Sequence, residues 1–158
     1  MNEMKQLYIA LFLLMSALVM SCGDRETERL LDDVDSYIRE FPDSALKVLR
    51  DVDPRNLNTN RLRAQYSLLH AMALDKNYID TTDISVVMPA VDYYKRHDNA
   101  DEKLRAYFYL GRIYQNDGKL DKAAVAYSLA EEAAEDANDE VQKGLLYMNF
   151  SFIYNKVH

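Results

Sequence analysis

Two hydrophobic patterns divide the chain. After a polar opening, Met1 to Gln6, which carries Lys5, the run from Leu7 to Met20 reads LYIALFLLMSALVM and is interrupted only by Ser16. Signal-peptide cores have this length, whereas a helix crossing the membrane needs about 20 apolar residues to cover roughly 30 Å of hydrocarbon. The pattern therefore predicts an export leader over residues 1–21 rather than a spanning helix. Beyond Cys22 the apolar positions change to helical spacing. Leu30, Leu31, Val34, Tyr37, Ile38 and Phe41 fall on one stripe about 100° wide, which predicts a helix from Thr27 to Phe41. Pro42 and Asp43 then break the chain and are expected to cap a second helix, Ser44 to Val52, which Asp53-Pro54 ends.

The same alternation of helix and turn continues to the C-terminus. Leu62-Arg63-Ala64 repeats Leu104-Arg105-Ala106 letter for letter at a distance of 42 residues, with Leu68 and Leu69 standing where the later copy has Leu110 and Gly111. Tyr147, Phe150, Ser151 and Tyr154 lie 40 residues beyond Tyr107, Leu110, Gly111 and Tyr114. Helical hairpins are expected at about 27–54, 59–98 and 101–137, followed by an unpaired helix at 139–157, seven helices in all. The second helix of the middle hairpin holds Ala90 and Tyr94, and Pro89 must sit in its opening turn or kink it, because proline has no amide hydrogen to donate. In the last helix Leu145, Leu146, Tyr147, Met148, Phe150, Phe152, Ile153, Tyr154 and Val157 are spread around the whole circumference. A helix apolar all round expects burial. Further repeats of a longer protein, a second copy of the chain or a docked partner would each supply the cover.

Tyr107, Leu110, Gly111 and Tyr114, the turn Asn116-Asp117-Gly118, and then Ala123, Tyr127 and Ala130 resemble the tetratricopeptide repeat at nearly every diagnostic position. The resemblance implies an all-α, right-handed solenoid of antiparallel helix hairpins covering 27–158. Its packing logic is one of distance: Gly111, Ala123 and Ala130 let helix axes approach, while Tyr107, Tyr114 and Tyr127 fill the gaps left at the edges. The proline that often closes such a repeat is replaced near Glu135 by the acidic stretch Glu131 to Glu140. In this family the first helix of each hairpin lines a concave groove. Counted from Leu62 and Leu104, the groove-facing positions are Arg63, Tyr66 and His70, then Arg105, Phe108 and Arg112. The resemblance thus implies a basic and aromatic groove suited to a protein or peptide rich in carboxylates.

Val19-Met20-Ser21-Cys22 resembles the bacterial lipobox. That resemblance implies a diacylglycerol on the Cys22 thiol and commonly a further acyl group such as palmitate on its amine, which together make a lasting anchor. Residues 22–26 would then form a tether, and the protein would sit in the bacterial envelope, at the periplasmic or the surface face of the outer membrane. Asp24, Glu26 and Glu28, interleaved with Arg25 and Arg29, resemble the acidic signals that carry some lipoproteins to the outer face, or form a solvated lead into the first helix.

Composition narrows the chemistry. A formal charge of -7 argues against nucleic-acid binding, which needs clustered Lys and Arg. One cysteine allows neither an internal disulfide nor a multi-thiolate zinc site. His70, His97 and His158 show no ligand spacing, and neither a phosphate-binding glycine loop nor a nucleophile elbow is present. The reading is therefore non-enzymatic, with no metal and no cofactor beyond the lipid on Cys22. Two function classes follow: a membrane-anchored protein-interaction scaffold, or the input part of a longer envelope sensor or regulator.

Overall fold

A computed structural model describes Tyr8 and residues 25–157 of the chain. Apart from Tyr8, the segment expected to be an export leader, together with Cys22, the residue expected to carry the lipid, and His158, lies outside the described residues. All regular structure among the described residues is helical, in agreement with the expected all-α class. Seven α-helices follow one another there: α1 (residues 25–37), α2 (Pro42–Arg50), α3 (Asn60–Lys76), α4 (Met88–Tyr94), α5 (Ala100–Asn116), α6 (Leu120–Ala134) and α7 (Glu140–Val157). Short 3-10 turns at Pro54–Asn56 and Ile84–Val86 precede α3 and α4.

The long helices α3, α5 and α7 start alike. Thr59 Oγ1 accepts from the Leu62 amide at 3.1 Å, Asn99 Oδ1 from Glu102 at 3.1 Å, and Asp139 Oδ1 from Gln142 at 3.0 Å. Each cap satisfies an amide that the first helical turn leaves without an internal acceptor. The three caps stand 40 residues apart in sequence. The far ends of two of these helices are also tied alike. Asn77 Nδ2 donates to the Pro42 carbonyl at 2.8 Å and Asn116 Nδ2 to that of Thr81 at 3.3 Å, in both cases reaching back 35 residues.

Packing follows chain order. α2 lies on α3, α3 on α4 and α5, α4 on α5, and α5 on both α6 and α7, with α6 also against α7. A single apolar core runs through this series, with Leu31, Val34, Ile38, Leu49, Leu68, Met72, Leu104, Tyr109, Tyr127, Leu146 and Ile153 all buried. α6 contributes an inner face of small residues, Ala123, Ala126, Ala130 and Ala133, broken only by Tyr127. That ring lies where Gly111 of α5 leaves room for it.

Three local expectations change. The buried row of α1 is Thr27, Leu31, Val34 and Ile38, so Leu30 and Phe41 sit at its edges and are 38% and 56% exposed. Asp43 is in the first turn of α2 rather than at its cap; Phe41 occupies the cap without a side-chain bond, and Pro42 opens the helix. α7 is not apolar-buried all round. Gln142, Leu146 and Ile153 are buried, while Val141, Tyr147, Met148 and Phe152 are exposed.

Candidate functional site

The six residues expected to line a basic groove do not form one free surface. Glu28, Asp32 and Asp35 along α1 and Arg39 in the turn after it meet three successive long helices or their starts. Glu28 pairs with Arg61 of α3, and Gln65 of α3 donates to Asp32 at 2.7 Å. Arg105 of α5 forks onto both oxygens of Asp35 at 2.6 and 3.1 Å, and Arg39 pairs with Asp139 in front of α7. The first helix is thus bound by charge across α3, α5 and the start of α7.

Arg105 is the centre of this arrangement. It is 7% exposed, and besides Asp35 it donates to Glu102 at 2.6 Å. Burial alone would lower its pKa, but the bonds and charges of Asp35 and Glu102 hold it above the ordinary arginine value. Burial pushes the Glu102 carboxyl up, and Arg105 opposes that rise. Arg112 is likewise engaged, donating to Asp75 of α3 at 2.7 Å and to Asn149 of α7 at 3.2 Å. Phe108 is 2% exposed, with its ring 5.1 Å from that of Tyr109 and 5.9 Å from that of Tyr127. A partner's carboxylate would have to displace Asp35 to reach Arg105.

Arg63 faces elsewhere. It donates to Asn60 at 3.2 Å, and with Pro89, Asp92, Tyr93 and Arg96 it lines a depression between α3 and α4. The counterpart of Arg105 at the 40-residue period is Gln65, which bonds an α1 carboxylate just as Arg105 does. The letter match at 42 residues is therefore two positions out of register, which on a helix is a rotation of about 200°. Carboxylates, not letter matches, carry the signal that would have found the pairs: Asp32, Asp35 and Asp75 each stand opposite a donor on another helix, Gln65, Arg105 and Arg112.

Tyr66 and His70 are partly buried beside each other, with ring centroids 5.5 Å apart. Burial, helped by the charge of Arg50, holds the His70 imidazole below its ordinary pKa of 6.5. The unfolded chain therefore takes up this proton before the folded one. The His70 contribution to stability is present above pH 6.5 and is lost as pH falls below it. Thermal unfolding at pH 7.5 and pH 5.5 should show a smaller acid-side loss for His70→Gln than for the parent; equal losses would mean that His70 does not titrate on unfolding.

The packing residues are placed together. Tyr107 and Tyr114 are partly buried, Leu110, Ala123, Tyr127 and Ala130 are buried, and Tyr127 reaches across to donate to Gln115 Oε1 at 2.8 Å. Gly118 closes the turn between α5 and α6 at φ +72°, a backbone conformation that glycine adopts at low cost.

Several large apolar side chains of α7 are exposed. Val141 is 61% exposed, Tyr147 50%, Met148 63% and Phe152 48%. Next to them Tyr147, Phe150, Ser151 and Tyr154 line a shallow depression of about 270 Å³. Among the described residues no group of three or more His, Cys, Asp or Glu is placed to hold a metal ion, and no helix is long and apolar enough to cross a membrane. In comparisons with known proteins, the chain matches no family model, no curated protein and no solved structure.

Proposed function

We propose that this protein is a tetratricopeptide-like interaction scaffold of the bacterial envelope, carried by a lipid on Cys22, with the outer face of α7 as its contact surface. The observation that carries the reading is the exposure of Val141, Tyr147, Met148 and Phe152 on one helix. Large apolar side chains scattered singly need no explanation, but Val141, Met148 and Phe152 stand seven and four residues apart on one side of α7, with Tyr147 on the adjoining side, and several large apolar side chains exposed together mark an interaction surface. The 40-residue recurrence of capped long helices supports the repeat reading, and the close seat of Tyr127 against Gly111 supports the tetratricopeptide likeness in particular. The leader pattern ending at Cys22 supports the anchor. Arg105 and Arg112 of the expected groove, being paired internally, serve the fold in this reading rather than the partner.

One experiment with two arms tests it. Cys22→Ser should move the protein from the membrane fraction to the soluble fraction and abolish incorporation of labelled palmitate. Met148→Glu, which places a charge on the exposed face, should leave thermal unfolding within about 0.5 kcal/mol of the parent, as surface changes do, yet remove whatever binds the anchored protein in its native envelope. Retention in the membrane after Cys22→Ser would end the lipid reading, and unchanged binding by Met148→Glu would move the contact surface away from α7.

A further inference from the structure

We infer that the polar cavity where α1, α3, α4 and α5 meet binds an organic cation with N–H donors, a primary ammonium carried on a short aliphatic stem. The site is built from helices other than α7 and stands or falls independently of the contact surface proposed there.

The cavity has a volume of about 290 Å³, and Asp32, Asp35, Gln65, Tyr94 and Glu102 are among the residues lining it. Its leftover groups are acceptors for a chemical reason. A carboxylate only accepts, so Gln65 turns its Nε2 to Asp32 Oδ1, at 2.7 Å, and its Oε1 to the other side. That oxygen is buried and has no hydrogen-bond partner. Arg105 donates to both oxygens of Asp35 and to Oε1 of Glu102, which leaves Glu102 Oε2 buried and without a partner. No hydrogen bond reaches Oδ2 of Asp32 among the described residues. His97 at the rim holds its Nδ1 2.6 Å from the Tyr93 carbonyl oxygen. Nδ1 must therefore carry the hydrogen, and Nε2 of the neutral ring is one more acceptor.

Tyr94 supplies the inner wall. It is only 7% exposed, its hydroxyl has no hydrogen-bond partner among the described residues, and what remains accessible of it opens on the cavity. Burial and the nearby charge of Glu102 hold the phenol above its ordinary pKa, so it stays a neutral hydroxyl. Buried polar groups are almost always paired, and a cluster left unpaired at one cavity wall calls for a donor from outside.

The charges agree in sign. Glu28, Asp32, Asp35 and Glu102, four carboxylates, stand against two guanidiniums, those of Arg61 and Arg105. Burial raises the Glu102 carboxyl despite Arg105, so a second cation has a charge to neutralise there. Among the described residues no group of three or more His, Cys, Asp or Glu is placed to hold a metal ion. The three N–H donors of an ammonium instead match in number the free oxygens of Asp32, Gln65 and Glu102, and the rings of Tyr93 and Tyr94 suit its charge and its stem. The volume lies at the lower limit of small-molecule sites and fits a head group rather than a larger ligand. Such a head group belongs to a free alkylamine or to a lysine side chain of another protein.

Isothermal titration calorimetry of the full chain in detergent with n-butylammonium tests the site. Saturable binding is expected, at least about tenfold tighter than that of N,N,N-trimethylbutylammonium, which keeps the charge and the stem but has no N–H to donate. Tyr94→Phe removes a hydroxyl that has no partner, so the melting temperature should stay as it is while n-butylammonium binds about threefold more weakly. Asp32→Asn should weaken it at least about tenfold. A short blocked peptide with one lysine between glycines reads the source: tighter binding than n-butylammonium assigns the site to a partner's lysine, and weaker binding assigns it to a free amine. No saturable binding of either probe, equal affinity for the two butylammonium ions, or full affinity in both variants overturns the inference.

Discussion

Replacing Arg105 with alanine is expected to destabilise the folded chain by about 3 kcal/mol, at the low end of what breaking a buried ion pair costs. The guanidinium is buried between Asp35 and Glu102, whose side chains are 32% and 21% exposed. Removing it leaves Glu102 with no cation, and Oε2 of that residue already lacks a hydrogen-bond partner. It also cuts the tie between α1 and α5 that spans 70 residues of sequence. For a domain of this size the melting temperature should fall by on the order of 10 °C. The origin of the loss is separable. If it comes from stranded carboxylates, then replacing the cluster together, Arg105→Met with Asp35→Leu and Glu102→Leu, should recover most of the stability, because a buried ion cluster is worth little more than apolar side chains of similar volume. If the triple variant is as unstable as Arg105→Ala, the specific geometry of the fork holds α1 in place. A melting temperature unchanged in Arg105→Ala would show that the α1 contact is not formed in solution.

How far the sequence discloses this fold depends on the kind of signal. Apolar spacing and turn residues are local, and they place the seven helices within a few residues of where they lie, including Pro89 in the opening turn of α4. Gly118 is legible for the same reason, since a helix-to-helix turn needs a left-handed residue and glycine is the cheapest choice. Register between repeats is harder to read. Leu-Arg-Ala at 62 and at 104 is identical by letter, yet in both copies the flanking leucine and alanine are buried, which any helix of this core would require. The informative spacing is that of the caps Thr59, Asn99 and Asp139, which mark where each long helix starts and give 40 residues rather than 42. The fate of the arginines is least legible. Whether Arg105 meets solvent, a partner or Asp35 depends on where α1 crosses α5, and that crossing is decided by apolar packing of residues far apart in the chain. The outer face of α7 shows the converse case. Its apolar residues predict burial, while the structure supplies cover for only the Leu146 and Ile153 side.

Gly111 offers the sharpest test of the packing, because two effects of opposite sign meet at one atom. In a helix interior, glycine to alanine is ordinarily favourable by about 1 kcal/mol, through the lost flexibility of the unfolded chain and better helix propensity. At Gly111 a Cβ would stand 2.3 Å from Cε1 and 2.5 Å from Cδ1 of Tyr127. That ring cannot swing aside. It is fully buried, its centroid is 5.9 Å from that of Phe108 and 6.1 Å from that of Phe150, and its hydroxyl is held by Gln115. Either α5 and α6 separate or the ring leaves its rotamer, and overpacking of this kind costs about 1–3 kcal/mol or more. The clash therefore wins: Gly111→Ala should be net destabilising by about 1 kcal/mol, and Gly111→Leu should lose upward of about 3 kcal/mol. Trimming the opposing side chain reverses the sign. In a Tyr127→Leu background, itself destabilised by loss of the ring, Gly111→Ala should be neutral or stabilising, because only the helix-propensity gain remains. Urea unfolding of the four proteins in this double-mutant cycle reads the coupling directly. Additive effects of the two substitutions would mean that Gly111 and Tyr127 do not touch and that α5 and α6 pack at a wider separation.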